Sequence, residues 1–173
     1  MGADWRNARA SLKARAAAIK LLALDADGVL TDGRIYVADA SGKEWAMGFC
    51  VKDGFGIRLA QKAGMEVGVI SGRDSLGLRL RLGELGIRRT ALRCRDKAAA
   101  LAEMLNGLEI QPREAAFVGD DVPDLPAMRQ AGLAIAVADA HPEVRAEAHW
   151  VTSARGGRGA VREVCDFLLA ART

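Results

Sequence analysis

The sequence predicts a three-layer α/β sandwich around a parallel central sheet, with a two-stranded flap over about residues 34–50. Three observations carry that expectation. Short apolar runs alternate with longer helical patterns, the mark of βαβ units. The apolar runs are continuous, as strands covered by helices on both faces are. The length, 173 residues, is that of one domain, and such a domain buries roughly 70% of its unfolded surface without help from a disulfide or metal.

Taken in order, residues 4–18 read as an amphipathic helix, and Leu21–Leu24 as a strand that stops at Asp25. Arg34–Ala38 and Glu44–Cys50 read as two strands joined by the turn Asp39-Ala40-Ser41-Gly42-Lys43. Asp53 is expected to cap a helix running to Ala63, with Gly64 as its stop. Val67–Ile70 is a strand ending at Ser71-Gly72, followed by a helix over 75–85 that stops at Gly86. Thr90–Leu92 is a weak strand, and Asp96 opens a helix through Asn106. Ala115–Val118 is a strand ending at Gly119-Asp120-Asp121, followed by a short helix to Ala131. Leu133–Val137 is a further strand, and Gly159–Ala171 the final helix.

Composition excludes several classes. Half the residues are hydrophobic and 27% are charged, so the chain is not of a disordered type. A net charge of +3 with 5% aromatic residues gives neither a strong basic patch nor stacking platforms, so no nucleic-acid partner is expected. Nothing approaches the 18 or so apolar residues of a membrane span, and the basic, alanine-rich start lacks the apolar core of a signal peptide. Cys50, Cys94 and Cys165 are odd in number and far apart, with no CxxC pair. They read as reduced thiols of a cytoplasmic protein.

The chemistry gathers where strands end. LLAL runs into Asp25-Ala26-Asp27, VGVI into Ser71-Gly72-Arg73, and AAFV into Gly119-Asp120-Asp121. In open α/β sheets, ligands bind beyond the carboxyl ends of the strands. Asp25, Asp27, Asp120, Asp121 and Asp124 would crowd on one edge, with Lys97 facing it from the helix it opens. Like charges so close raise one another's pKa, and a hard divalent cation relieves that conflict. Oxygen-only donors favour Mg²⁺ over zinc. Lys97, the Ser71 hydroxyl and loop N–H groups are suitable donors for a phosphate. Together they describe a phosphoryl-transfer site with a carboxylate nucleophile.

This constellation resembles the haloacid dehalogenase superfamily of phosphohydrolases: DADGVLTDG as first motif, Ser71 as second, Lys97 as third, GDDVPD as fourth. Within it, LDADGVLTDGRIY, FCVKDGFGIRLAQKAG, VISGR, FVGDDVPDLPAM, GLAIAVADAHPEV and VTSARGGRGAVREVCDFLL are similar to the 3-deoxy-D-manno-octulosonate 8-phosphate phosphatase family, over about residues 18–170. The resemblance implies a single Rossmann-like phosphohydrolase domain over 1–173 without a large cap. It also implies a cytoplasmic homotetramer of lipopolysaccharide sugar biosynthesis, in which the flap of one subunit closes a neighbour's site.

By the same resemblance, Asp25 is the nucleophile and Asp27 the acid and base. Ser71 and Lys97 hold phosphate oxygens. Mg²⁺ is held by Asp25, the Asp27 carbonyl and Asp120, with Asp121 and Asp124 behind. Asp27, Cys50, Val51, Lys52, Asp53, Gly54, Arg58, Gly72, Arg73, Arg81 and Lys97 contact a sugar-acid phosphate. Cys50 and Lys52 stand where the family often shows Asn and Arg. The choice between eight-carbon and nine-carbon keto-deoxy sugar acids therefore stays open. A non-catalytic scaffold would have lost some of these motif positions, and a phosphoreceiver domain has no GDDxxD after its lysine. His141, His149 and the three tryptophans read as structural. Gly156-Gly157-Arg158-Gly159 reads as a turn needing positive φ rather than a phosphate loop.

Overall fold

The computed structural model describes residues 4–37 and 44–172, with the side chains of 4–9, 37, 44 and 45 outside that description. Six strands form one parallel sheet in the order β5-β4-β1-β6-β7-β8. They are β1 (Leu21–Leu24), β4 (Glu66–Ile70), β5 (Arg89–Ala91), β6 (Ala115–Gly119), β7 (Leu133–Ala136) and β8 (Trp150–Val151). The remaining two, β2 (Tyr36–Val37) and β3 (Glu44–Ala46), pair antiparallel as a separate ribbon. This is the predicted flap, shorter than expected, and the tip proposed at 39–43 lies outside the described residues.

β1 is central because it is apolar at every position. All four of its residues are buried, so it needs cover on both faces and a partner on both edges. Leu24 pairs with Val69 of β4 and with Val118 of β6. One covering layer holds α2 (Val51–Lys62) and α7 (Ala160–Ala171), which pack on each other, with α1 (Asp4–Ala17) on α7. The other holds α4 (Lys97–Leu108) and α5 (Leu125–Gln130), which pack together and onto β4, β6 and β7. α3 (Leu76–Glu84) touches α2, with Leu85 and Arg81 closing on Gly54.

Local signals place most ends. The Ser75 hydroxyl accepts from the Leu78 N–H at 3.2 Å, and the Asp96 carboxylate from the Ala99 N–H at 2.9 Å, so both act as caps. α4 stops at Glu109, which holds φ +55° where glycine is the usual occupant. Asp53 corrects the sequence reading. α2 starts three residues earlier, after Cys50, and Asp53 sits in its first turn. Its buried carboxylate crosses to the start of α7 and accepts from the N–H groups of Gly159 (3.2 Å) and Arg162 (2.7 Å). An acid in the first turn of one helix thus caps another.

Two elements were not anticipated. α6 (Pro142–Glu147) and β8 occupy a stretch read as loop. His141 caps α6, its Nδ1 accepting from the Glu143 N–H, and His149 Nδ1 accepts from the Ala134 N–H at 2.9 Å. Trp150 packs against Phe167 with centroids 4.7 Å apart and ring planes at 49°. The structural reading of these side chains holds. The side chains of Trp5 and Trp45 lie outside the described residues.

Candidate active site

The sheet order reverses between β1 and β6, and there the loops after the two strands diverge to leave a crevice. The Asp25 N–H donates to the Val118 carbonyl at 3.0 Å, so Asp25 continues the ladder by one residue. Two glycines then make room for carboxylates. Gly28, at φ +84°, leaves space that a Cβ would take from Asp120, at 2.0 Å from its Oδ2. A Cβ on Gly119 would meet the Asp124 Cβ at 2.6 Å.

The resulting cleft has a volume of about 490 Å³. Five carboxylates line it, from Asp25, Asp27, Asp120, Asp121 and Asp124. So do Gly33, Gly72, Arg73, Cys94, Arg95, Lys97 and Pro123. Carboxylate oxygens of Asp25, Asp120 and Asp124 lie within 4.8 Å of one another. Lys97 Nζ is buried between two of them, at 2.8 Å from Asp25 Oδ1 and 2.6 Å from Asp124 Oδ1. Asp124 is fully buried, and its other oxygen accepts from the N–H groups of Asp120 (2.9 Å) and Asp121 (3.2 Å). Asp121 itself caps the turn at 122–124 through the Val122 N–H, so capping and a place beside the cluster coincide.

Electrostatics follow from this crowding. Burial, then the Asp124 charge, pushes the Asp25 carboxyl up to about 6, against the pull of Lys97. Burial, then the charges of Asp25 and Asp124, pushes Asp120 up to about 8. Lys97 goes the other way. Burial disfavours its charge, but Asp25 and then Asp124 outweigh that, so its pKa rises. Three carboxylates around one lysine are short of positive charge. That deficit, with oxygen-only donors, fits a hard divalent cation, and Asp25 and Asp120 are the side chains placed to hold it.

Asp27 lines the cleft and accepts from Arg73 Nη1 at 3.3 Å. Ser71 is buried behind Gly72, its Oγ accepting from the Arg73 N–H at 3.1 Å. The other sequence-predicted contacts are not brought to the cleft of this chain. Asp53 faces α7. Arg58 Nη2 donates to the Glu84 carbonyl, and Arg81 pairs with the Glu84 carboxylate at 2.8 Å while lying over the Phe49 ring. Cys50, Val51, Lys52 and Gly54 lie at the start of α2, outside the cleft lining. Sequence reasoning missed Gly33, Pro123, Cys94 and Arg95. The signal for the last two was present: they sit between the end of β5 and Lys97, on the same edge as the motifs.

The turn read from Gly156-Gly157-Arg158-Gly159 supports the first motif. Gly157 and Gly159 have φ of +63° and +105°. The Gly157 N–H donates to the Val29 carbonyl at 2.9 Å, and a Cβ on Gly156 would lie 1.6 Å from the Gly28 carbonyl oxygen.

A family model described as haloacid dehalogenase-like hydrolase matches residues 94–163. The 3-deoxy-D-manno-octulosonate 8-phosphate phosphatase of Yersinia pestis is 47% identical over 158 residues, spanning 91% of this chain and 83% of that protein. The chain belongs to the 3-deoxy-D-manno-octulosonate 8-phosphate phosphatase family. The crystal structure of that phosphatase from Yersinia pestis superposes with a TM-score of 0.90 at 46% identity, covering 94% of this chain and 86% of that one. The Moraxella catarrhalis phosphatase, solved with magnesium, phosphate and KDO, gives 0.89 at 38% identity, covering 93% and 91%. Like other chains of the phosphatase family, this one carries the parallel sheet of the haloacid dehalogenase fold. Among the described residues, no helix is long and apolar enough to cross a membrane.

Proposed function

We propose that the protein is a Mg²⁺-dependent phosphatase that hydrolyses 3-deoxy-D-manno-octulosonate 8-phosphate to the free sugar acid and phosphate. The observation that carries this reading is the buried Asp25–Lys97–Asp124 arrangement with Asp120 beside it, in a chain of this family. Asp25, the Asp27 backbone carbonyl and Asp120 would hold the ion, and Asp124 would steady the set from behind. When bound, magnesium supplies positive charge that offsets the carboxylates and the phosphoryl oxygens.

Asp25 attacks phosphorus in line, and the bond from phosphorus to the sugar oxygen breaks. Asp27 gives its proton to that departing oxygen. The Asp27 carboxylate then takes a proton from water as the water oxygen attacks phosphorus, which releases Asp25 and inorganic phosphate. Lys97 favours the carboxylate form of Asp25 that attack requires. With Ser71, it also meets the equatorial oxygens, where transition-state charge gathers. The Ser71 oxygen accepts from the Arg73 N–H, so its own proton points elsewhere and serves as a donor.

The assembly we propose is a homotetramer in the cytoplasm. Val51 is 80% exposed and Leu76 72% exposed, and Leu80, Phe55, Ile35 and Tyr36 are also exposed. A neighbouring copy is the natural cover for such a face, and would carry the contacts at Cys50–Gly54, Arg58 and Arg81 to a cleft they do not line in their own chain. Light scattering reads this directly, and a stable monomer would defeat it.

Phosphate release is measured over sugar-acid phosphates, with Mg²⁺ and with EDTA. Turnover that prefers the eight-carbon ester, stops with EDTA and returns with Mg²⁺ is expected. A higher kcat/KM for a nine-carbon analogue would move the assignment to that substrate. Asp25→Asn should abolish turnover, and activity within about tenfold of wild type, ~1.4 kcal/mol in barrier, would exclude Asp25 as nucleophile.

A further inference from the structure

The cleft holds three cations among five carboxylates, and two of the three are engaged. Lys97 is clamped between Asp25 and Asp124, and Arg73 pairs with Asp27. Arg95 is the third. It lines the same cleft, it is exposed, and among the described residues its side chain makes no hydrogen bond or ion pair. We propose that Arg95 is a specificity-determining residue whose guanidinium binds a carboxylate of the substrate, away from the phosphoryl group.

The loop under Arg95 is held in place. The Cys94 N–H donates to the Ser71 carbonyl at 2.9 Å, and the Cys94 thiol to the Asp96 carbonyl at 3.1 Å. Asp96 caps α4, and Lys97 enters the site one residue later. Arg95 therefore stands between two fixed residues, on backbone stitched to the loop that carries Ser71 and Arg73. A side chain on such a frame loses less freedom on binding than one on a loose loop.

Charge arithmetic favours an anion beside it. Five carboxylates and three cations leave the cleft at −2, which one divalent ion cancels. A phosphomonoester that also bears a carboxylate then brings further negative charge. Lys97 and Arg73 face Asp25 and Asp27, where phosphorus is attacked. Arg95 is the cation of this chain left for the other end of the substrate, and its planar fork matches a carboxylate with two parallel hydrogen bonds. Arg58 and Arg81 are not alternatives within the chain, because Glu84 holds both outside the cleft lining.

The inference rests on the phosphatase reading, and its test is built to fail separately. Arg95→Ala and Arg95→Gln are compared with wild type on two phosphomonoesters that differ in a carboxylate, 6-phosphogluconate and glucose 6-phosphate, and on the eight-carbon ester. The ratio of kcat/KM for the acid to that for the neutral ester should fall about tenfold or more, mainly through KM, as expected for a charge-assisted contact. Arg95→Lys should recover part of it. Equal losses on both esters would put the guanidinium on the phosphoryl group instead, and no change in the ratio would remove it from recognition. Either result overturns the proposal. Failure of wild type to turn over the eight-carbon ester would sink the proposed substrate while the matched pair still reads Arg95.

Discussion

Replacing Lys97 by methionine removes the cation that touches both Asp25 and Asp124 and leaves a side chain of similar length. The Lys97 side chain is only 7% exposed, and its Nζ sits 2.8 and 2.6 Å from the two acids, so solvent screens the pairs weakly. Removing one partner of a buried ion pair costs about 3–5 kcal/mol. Asp124 keeps its two backbone N–H donors, which argues for the low end. For a domain of this size, about 3 kcal/mol lowers Tm by roughly 6–12 °C. That loss applies to metal-free protein at pH 8, where Asp25 is charged. At pH 5 it should shrink, because Asp25 and Asp120, pushed up to about 6 and about 8, already hold protons. Excess Mg²⁺ should restore part of the loss at pH 8. Calorimetric scans at the two pH values decide it. A Tm within about 2 °C of wild type at pH 8, or an equal loss at pH 5, would refute the idea that Lys97 is held by charge compensation.

Raised carboxylates make the folded state bind protons that the unfolded chain has released, so metal-free stability should fall as pH rises from about 4 through about 8. The Tm gained from Mg²⁺ should therefore grow with pH, and both trends should weaken in Asp120→Asn. A gain that shrinks toward pH 8 contradicts the assignment. Gly28→Ala forces a Cβ to 2.0 Å from Asp120 Oδ2 at φ +84°, so turnover should drop at least about 100-fold, ~2.7 kcal/mol, with circular dichroism unchanged. Near-normal kinetics would mean that the loop moves freely. Glu109→Gly relieves a left-handed residue at the end of α4 and should raise stability by about 1 kcal/mol in urea titration.

Much of the fold was legible because the strands are unbroken apolar runs that end in polar residues, and because Ser75 and Asp96 cap helices in the usual local way. The convergence of Asp25 and Asp120 was legible for the same reason: residues just past neighbouring strand ends share an edge. What escaped were relations between distant segments. Asp53 looked like a local cap, and nothing near it in sequence announces that α7 will present its N–H groups there. α6 and β8 are short and owe their form to neighbours, β8 to pairing with Ile135 and Ala136. Arg95 was overlooked because an arginine in a loop is ordinary until its neighbour Cys94 is found bonded to the Ser71 carbonyl.

The turn at Gly156–Gly159 has a temporal consequence. It wedges against the loop that carries the first motif, with no room for even a methyl group between Gly156 and the Gly28 carbonyl. Asp25 precedes its buttress by about 130 residues, so it leaves the ribosome well before the turn that supports its loop. A nascent chain that already contains Asp25, Ser71, Lys97 and Asp120 therefore still lacks the support behind its first-motif loop. Sugar phosphates met during synthesis would find no finished site, and activity should switch on only as α7 docks on α2.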